Sequence, residues 1–289
     1  MGLKEKKQRL VGILEACDAL AVAFSGGVDS TFLLAVAKDV LGERVLAITA
    51  TSAIHPRTES LAAAEIARAL GVAHRVVSSR EMDLPEFVAN PSNRCYVCKR
   101  HVMAEVIRIA AEMGIAHVAH GVNVDDLGDF RPGLKAAEEM GLLAPLVEAG
   151  LTKADIRALS RRMGLSTWNK PSMACLASRI PYGTAITPEN LRMVEAAEDF
   201  LRGLGFAGCR VRHHGTVARI ELAQRDLKKA LKEPARTAIV RRMREIGFRY
   251  VAVDLEGYVM GSLNRALEGK GPRVQGVEGS SENNLQKEH

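Results

Sequence analysis

Residues 19–30 read ALAVAFSGGVDS. The first six form an unbroken apolar run, with the length and composition of a strand buried on both faces of a parallel sheet. Two glycines follow at once, and residues 30–41 return to apolar spacing of helical period. Strand, glycine turn and helix make the unit of a doubly wound α/β sheet, whose ligands bind beyond the carboxyl ends of the strands. The turn has the residue types of an anion cradle. Gly26 and Gly27 let backbone approach a phosphate, Ser25 and Ser30 offer hydroxyls, and Val28 opens a helix with free N–H groups and a positive dipole end. Asp29 would repel a phosphate alone, which suits a place beside Mg2+. No Lys follows the glycines and the spacing is not GxGxxG, so two common nucleotide loops are excluded.

The alternation continues outward. A helical pattern over 3–17 precedes the run. Strands are predicted at 44–49, 73–77 and 116–121, with helices at 60–70, 101–113 and 153–163. The fold class expected is therefore α/β, a doubly wound parallel sheet, with the Ser25 loop and Gly121 both at strand ends. After Pro188 the pattern changes. A helix at 189–204, an antiparallel pair at 209–213 and 217–221, a basic helix at 225–246 and a strand at 250–255 describe a smaller α+β module. Domains are expected at 1–183 and 184–268, with 269–289 a polar, disordered tail.

At 289 residues the chain can bury a substantial core, and 47% apolar with 26% charged residues is ordinary for a globular protein. The formal charge of +6 suits phosphates, nucleotides or RNA. The basic residues read as scattered, with short clusters at Arg161-Arg162 and Arg241-Arg242, and aromatics are few; nucleic acid is not expected as partner. The N-terminus has no apolar signal core, and no apolar run approaches the roughly 20 residues of a membrane span. A soluble, cytoplasmic protein is expected. Its five cysteines, an odd number, argue against a disulfide framework in that setting.

Cys95 and Cys98 form a CxxC in NRCYVCKR (93–100), and Cys175 lies in PSMACLASRIPYG (171–183). CxxC spacing serves a metal or a redox pair. Three thiolates from two segments can hold three irons of a 4Fe–4S cluster and leave the fourth open. A structural zinc would want four ligands, and no second CxxC supplies one, although His101 is near. Cys17, Cys209 and Trp168 read as packing residues. Asn123, Asp125, Asp126, Asp129 and Arg131 follow a strand end within nine residues. Their carboxylates suit Mg2+, and Arg131 suits pyrophosphate or AMP. Lys99 suits a phosphate. Arg210 and Arg212 alternate on one strand and so share a face, whereas His213 and His214 point to opposite faces and make no metal pair.

The hexapeptide SGGVDS resembles the signature of the PP-loop ATP pyrophosphatases, among them GMP, NAD and argininosuccinate synthetases and the tRNA thiolation enzymes. That resemblance implies cleavage of ATP to AMP and pyrophosphate, with AMP passing to a carbonyl or carboxylate oxygen. Taken with GVNVDDLGDFRPG (121–133), NRCYVCK (93–99) and MACLASRIPYG (173–183), the chain is similar, over about residues 10–265, to the LarE family of ATP-dependent sacrificial sulfur transferases. The family resemblance implies adenylation of a carboxylate of pyridinium-3,5-biscarboxylic acid mononucleotide, a small-molecule substrate. Sulfur insertion follows, toward the nickel-pincer nucleotide cofactor. In one branch the cysteine at the position of Cys175 gives up its sulfur and becomes dehydroalanine. A three-cysteine branch is implied to use a 4Fe–4S cluster with an extra sulfide on its open iron. Cys95, Cys98 and Cys175 are all present here, which favours the cluster branch.

The same resemblance implies a catalytic set of Cys175, Asp29 and Arg131, with Lys99, Gly121 and Asp126 joining residues 25–30 around ATP and Mg2+. It implies Ser178, Arg179, Arg210 and Arg212 at the substrate phosphate, and Glu198 and Glu221 as divalent-metal ligands. A homo-oligomer is expected. Three other readings compete: a tRNA thiolation enzyme, which would need a broad RNA surface; an amidating PP-loop ligase, which leaves the three cysteines unexplained; and a non-catalytic nucleotide binder.

Overall fold

Two helix-flanked sheets are built from residues 1–128, 132–171 and 174–259, which, with Ser262 and Arg265, are the residues the computed structural model describes. The expected tail at 269–289 lies outside them. In chain order the first part runs α1 (Leu3–Glu15), β1 (Leu20–Ala23), α2 (Val28–Leu41), β2 (Val45–Thr51), α3 (Arg57–Ala69) and β3 (Ala73–Ser78). Next come α4 (Pro85–Val88), α5 (Arg94–Glu112), β4 (His117–His120), α6 (Pro132–Glu139), α7 (Pro145–Glu148) and α8 (Lys153–Arg162). The last part comprises α9 (Pro188–Gly203), β5 (Arg210–His214), β6 (Val217–Glu221), α10 (Gln224–Ala230), α11 (Ala235–Ile246) and β7 (Tyr250–Val253).

The first sheet has the order β3-β2-β1-β4 and every pairing is parallel, as the alternation of strands and helices predicts. Side chains alternate across it. Leu20 and Val22 face one core with Leu10, Leu14, Phe32 and Ile156, while Ala21 faces another with Leu46, Ile48, Val102 and Met103. Burial on both faces is why these strands read as continuous apolar runs. Because β2 and β4 flank β1 on opposite sides, their connections diverge and leave a crevice at the carboxyl ends of β1 and β4.

The second sheet, β5-β6-β7, pairs β5 with β6 as the expected antiparallel hairpin and adds β7 parallel to β6. Its core gathers Leu201, Phe206, Val211, Ile220, Ile239 and Met243. Thr187 starts α9 by accepting from the Asn190 N–H, with Pro188 at the first helical position. Residues 1–259 form one unit that contains both sheets.

Two predicted elements differ. The helix expected at 101–113 begins at Arg94, so the CxxC lies on its first turns rather than in a loop. The basic helix expected over 225–246 is two helices broken before Pro234, which has no N–H to give and whose ring crowds the preceding turn. No helix among the described residues is long and apolar enough to cross a membrane.

Phe32 is wholly buried in the first core. Phe32→Ala should lower the free energy of urea unfolding by about 3–5 kcal/mol. A loss under roughly 1 kcal/mol would show that the layer between α2 and the sheet is not packed as described.

Candidate active site

The loop between β1 and α2 is held by its own hydroxyls. Ser25 Oγ and Ser30 Oγ lie 3.2 Å apart, and Gly27 N–H points to Ser25 Oγ at 3.4 Å. Gly26 takes φ +66°, a left-handed backbone that suits glycine. A Cβ there would also lie 3.1 Å from the Ala63 Cα. Gly121, just past β4, is a glycine for a different reason. A Cβ would stand 2.8 Å from Ser30 N and 3.1 Å from the Asp29 carbonyl carbon, both backbone atoms at the start of α2. The two strand ends thus meet with no room for a side chain.

Asp29, on the first turn of α2, is ion-paired with Lys153 Nζ. Asn123, itself buried, reaches Asp29 Oδ1 at 3.5 Å and Asp126 Oδ2 at 2.8 Å. Asp125 Oδ2 accepts from Lys153 N–H at 2.8 Å. Burial pushes the Asp29 carboxyl up and Asp126 adds to this, while Lys153 opposes it. Lys170 holds the loop from behind: its Nζ donates to Gly26 O at 3.0 Å and meets Glu59 Oε2 at 2.7 Å. In a trans peptide C=O and N–H point opposite ways, so a grip on Gly26 O also fixes the direction of the Gly27 N–H, toward Ser25 Oγ. Lys99 reaches the same region from α5. Burial lowers its ammonium pKa, and burial followed by the Lys99 charge brings His120, at the end of β4, down to about 3. Asp129 and Arg131 lie outside the described residues.

The three cysteines come together because two distant segments are stitched side by side. Asn90 Nδ2 donates to Pro181 O and Thr184 O, both at 2.8 Å. Ile186 N–H bonds Val88 O at 2.9 Å, and Leu176 N–H bonds Ile54 O at 2.8 Å. Arg94 stacks over the Tyr182 ring at 4.4 Å. Cys98 and Cys175 consequently pack on one hydrophobic cluster. Burial raises the Cys95 and Cys98 thiol pKa values, and the neighbouring Cys175 raises both further. Behind them Glu81 is fully buried, accepts from the Ser52 and Ser79 hydroxyls, and adds to the rise at Cys98. Among the described residues no group of three or more His, Cys, Asp or Glu is gathered to chelate one metal ion. A cluster asks for something different, one thiolate on each of several irons, and three neighbouring thiols from two segments fit that donor set.

Beyond Cys175 lies a buried layer of charge. Arg179 donates from Nε and Nη2 to the two oxygens of Glu198, at 2.8 and 3.0 Å. Its Nη1 donates to Ala174 O, Cys175 O and Ser178 Oγ at 2.7–2.9 Å. Arg212 grips both oxygens of Glu221 at 2.9 and 2.7 Å and donates to Ser178 O at 2.9 Å. Arg210 lies over the Tyr258 ring at 5.0 Å. The oxygens of Glu198 and Glu221, expected as metal ligands, are engaged by arginines, and a cation bound there would share or displace those contacts. Arg179, expected at the substrate phosphate, is wholly buried and holds the Cys175 backbone. Ser178, Arg210 and Arg212 adjoin that clamp.

Lys153, Lys170, Glu59 and Glu81 escaped the reading of the sequence. Lys153 and Lys170 lie 124 and 144 residues from their loop partners, so no local spacing marks them.

The asparagine synthase family matches residues 14–93. The chain is 39% identical over 266 residues to the pyridinium-3,5-bisthiocarboxylic acid mononucleotide synthase of Lactiplantibacillus plantarum, covering 92% of this chain and 96% of that protein. It is 42% identical over 265 residues to an uncharacterized protein of Synechocystis, covering 92% and 99% respectively. A GMP synthase of Aeropyrum pernix is 31% identical over 208 residues, 65% of this chain and 40% of that enzyme.

Gly121→Ala should cut ATP-dependent pyrophosphate release at least about tenfold, roughly 1.4 kcal/mol, by pushing on the start of α2. Wild-type rates in that variant would show that the strand ends do not form the site. Lys170→Met should raise the KM for ATP about tenfold with little change in kcat, and Lys170→Arg should recover most of it. An unchanged KM would remove Lys170 from the loop's support.

Proposed function

The chain belongs to the LarE family of PP-loop, ATP-dependent sulfur transferases, and we propose that it adenylates a carboxylate of pyridinium-3,5-biscarboxylic acid mononucleotide and converts it to a thiocarboxylate, a step toward the nickel-pincer nucleotide. The observation that carries this reading is the convergence of Cys95, Cys98 and Cys175 beside the Arg179 clamp. A nucleotide crevice alone would serve any PP-loop enzyme.

In the first step Ser25, Gly27, Ser30 and Lys99 hold the phosphates, and Asp29 with Asp125 and Asp126 holds Mg2+. The substrate carboxylate oxygen attacks the α-phosphorus, the α–β bridging bond breaks, and pyrophosphate leaves. The carboxylate carbon now carries AMP as leaving group. In the second step a sulfur nucleophile attacks that carbon and AMP departs with the C–O bonding pair. Ser178, Arg210 and Arg212 bind the substrate phosphate and orient the acyl carbon toward Cys175. Arg179 fixes the Cys175 main chain from below.

Cys95, Cys98 and Cys175 would hold a 4Fe–4S cluster, which when bound supplies the sulfur at a fourth iron left without a protein ligand. Without it, Cys175 itself is the donor. Its sulfur bonds to the acyl carbon, a base removes the Cα proton, the Cβ–S bond breaks, and dehydroalanine remains.

Iron and acid-labile sulfide, measured on protein purified without oxygen, test the choice. About four irons per chain, lost in Cys95→Ala, Cys98→Ala and Cys175→Ala, are expected. No iron after anaerobic reconstitution would overturn the cluster, and the mass of Cys175 should then fall by that of one hydrogen sulfide molecule on turnover. Failure to release pyrophosphate with this substrate would overturn the whole reading.

A further inference from the structure

The positive charge of this chain is not scattered, as its sequence first suggested. Residues 224–249 hold nine Lys and Arg against three Asp and Glu, an excess equal to the +6 of the entire chain. The other residues are formally neutral together. This charge sits on α10, α11, the connection between them and the turn after them. Leu227, Ala230, Ile239 and Met243 point inward to the second core, while all nine cations are exposed.

Little inside the face compensates it. Glu233 pairs with Arg236, and Glu245 pairs with Arg241 and Arg242. Arg225, Lys228, Lys232 and Arg244 have no acidic partner among the described residues. Arg225 and Lys229 are four apart on α10, a like-charge spacing that costs helix stability. Lys229 is also held in place, with Nζ donating to Leu204 O at 3.1 Å and lying 4.8 Å from the Phe206 ring centre. A cleft of about 640 Å³ opens here, with an apolar floor of Leu204, Pro234, Ala235 and Ala238 and a basic rim of Arg225, Lys228 and Lys232. A second, of about 610 Å³, continues along α11 past Arg241 and Arg244.

We propose that α10 and α11 form a docking surface for an acidic segment of a partner protein that places an apolar side chain in the cleft and carboxylates on its rim. Charge complementarity selects an anionic partner. The apolar floor selects a peptide, since a nucleic-acid backbone has nothing to bury there. The only aromatic residue in 224–249 is Phe248, which is buried, so the face also lacks a platform for stacked bases. The twelve residues of α11 span roughly 18 Å, long enough for about three turns of a bound helix. The surface stands independently of the sulfur-transfer reading.

The test uses the full chain and fluorescence anisotropy with four probes: a labelled Glu-Glu-Leu repeat peptide, an oligoglutamate of equal length, an RNA hairpin, and vesicles containing phosphatidylglycerol. The Glu-Glu-Leu peptide should bind at least about tenfold more tightly than oligoglutamate and weaken with salt. Lys228→Glu combined with Lys232→Glu should abolish binding and leave ATP cleavage unchanged. Equal binding of oligoglutamate, tighter binding of RNA or vesicles, survival of binding after charge reversal, or no peptide binding would each overturn the proposal.

Discussion

Strand β1 shares its hydrogen bonds with β2 on one side and β4 on the other, and the chain leaves its two neighbours in opposite directions. At that divide the end of β4 presses a glycine against the backbone of Ser30. The closeness is only possible without a side chain at Gly121. It brings Asn123, Asp125 and Asp126 beside Asp29 and Lys153 at the start of α2. Lys153 and Lys170 then close the arrangement from the segment that follows β4. A loop of six residues is thus supported by groups from four parts of the chain.

The second constraint is electrostatic. Arg179 and Glu198 are both fully shielded from water, which would be costly without their bidentate pairing. Arg212 and Glu221 repeat the arrangement one layer away. Desolvation offsets much of the attraction in such pairs, so their net contribution to stability is small. Here the arginines also fix main-chain carbonyls, because Arg179 holds Ala174 and Cys175 while Arg212 holds Ser178. The segment carrying the third cysteine is positioned by charges drawn from α9, β5 and β6.

Much of this was legible in the sequence, and the boundary of legibility is physical. The parallel sheet and the nucleotide loop were readable because burial on both faces leaves unbroken apolar runs and because the loop chemistry is packed into six consecutive residues. The start of α5 was not, since the apolar residues of 93–101 fall in one unbroken run, Cys95 to Cys98, rather than at helical spacing, and Asn93 makes no side-chain cap bond. The break in the basic helix is marked in the sequence by Pro234, although the periodicity runs on past it. Pairings across more than a hundred residues leave no local trace, so Lys153 and Lys170 were invisible. Glu198 and Glu221 were visible as carboxylates, but only the fold shows which cations face them.

Lys170 does more than orient a peptide group. An ammonium on the Gly26 carbonyl draws electron density through the amide and makes the attached Gly27 N–H a stronger donor. The donor strength of the loop is therefore partly electronic in origin. It is tuned by a residue on the far side of the peptide plane, and Glu59, which shares the same ammonium, sets how strongly that polarisation is felt.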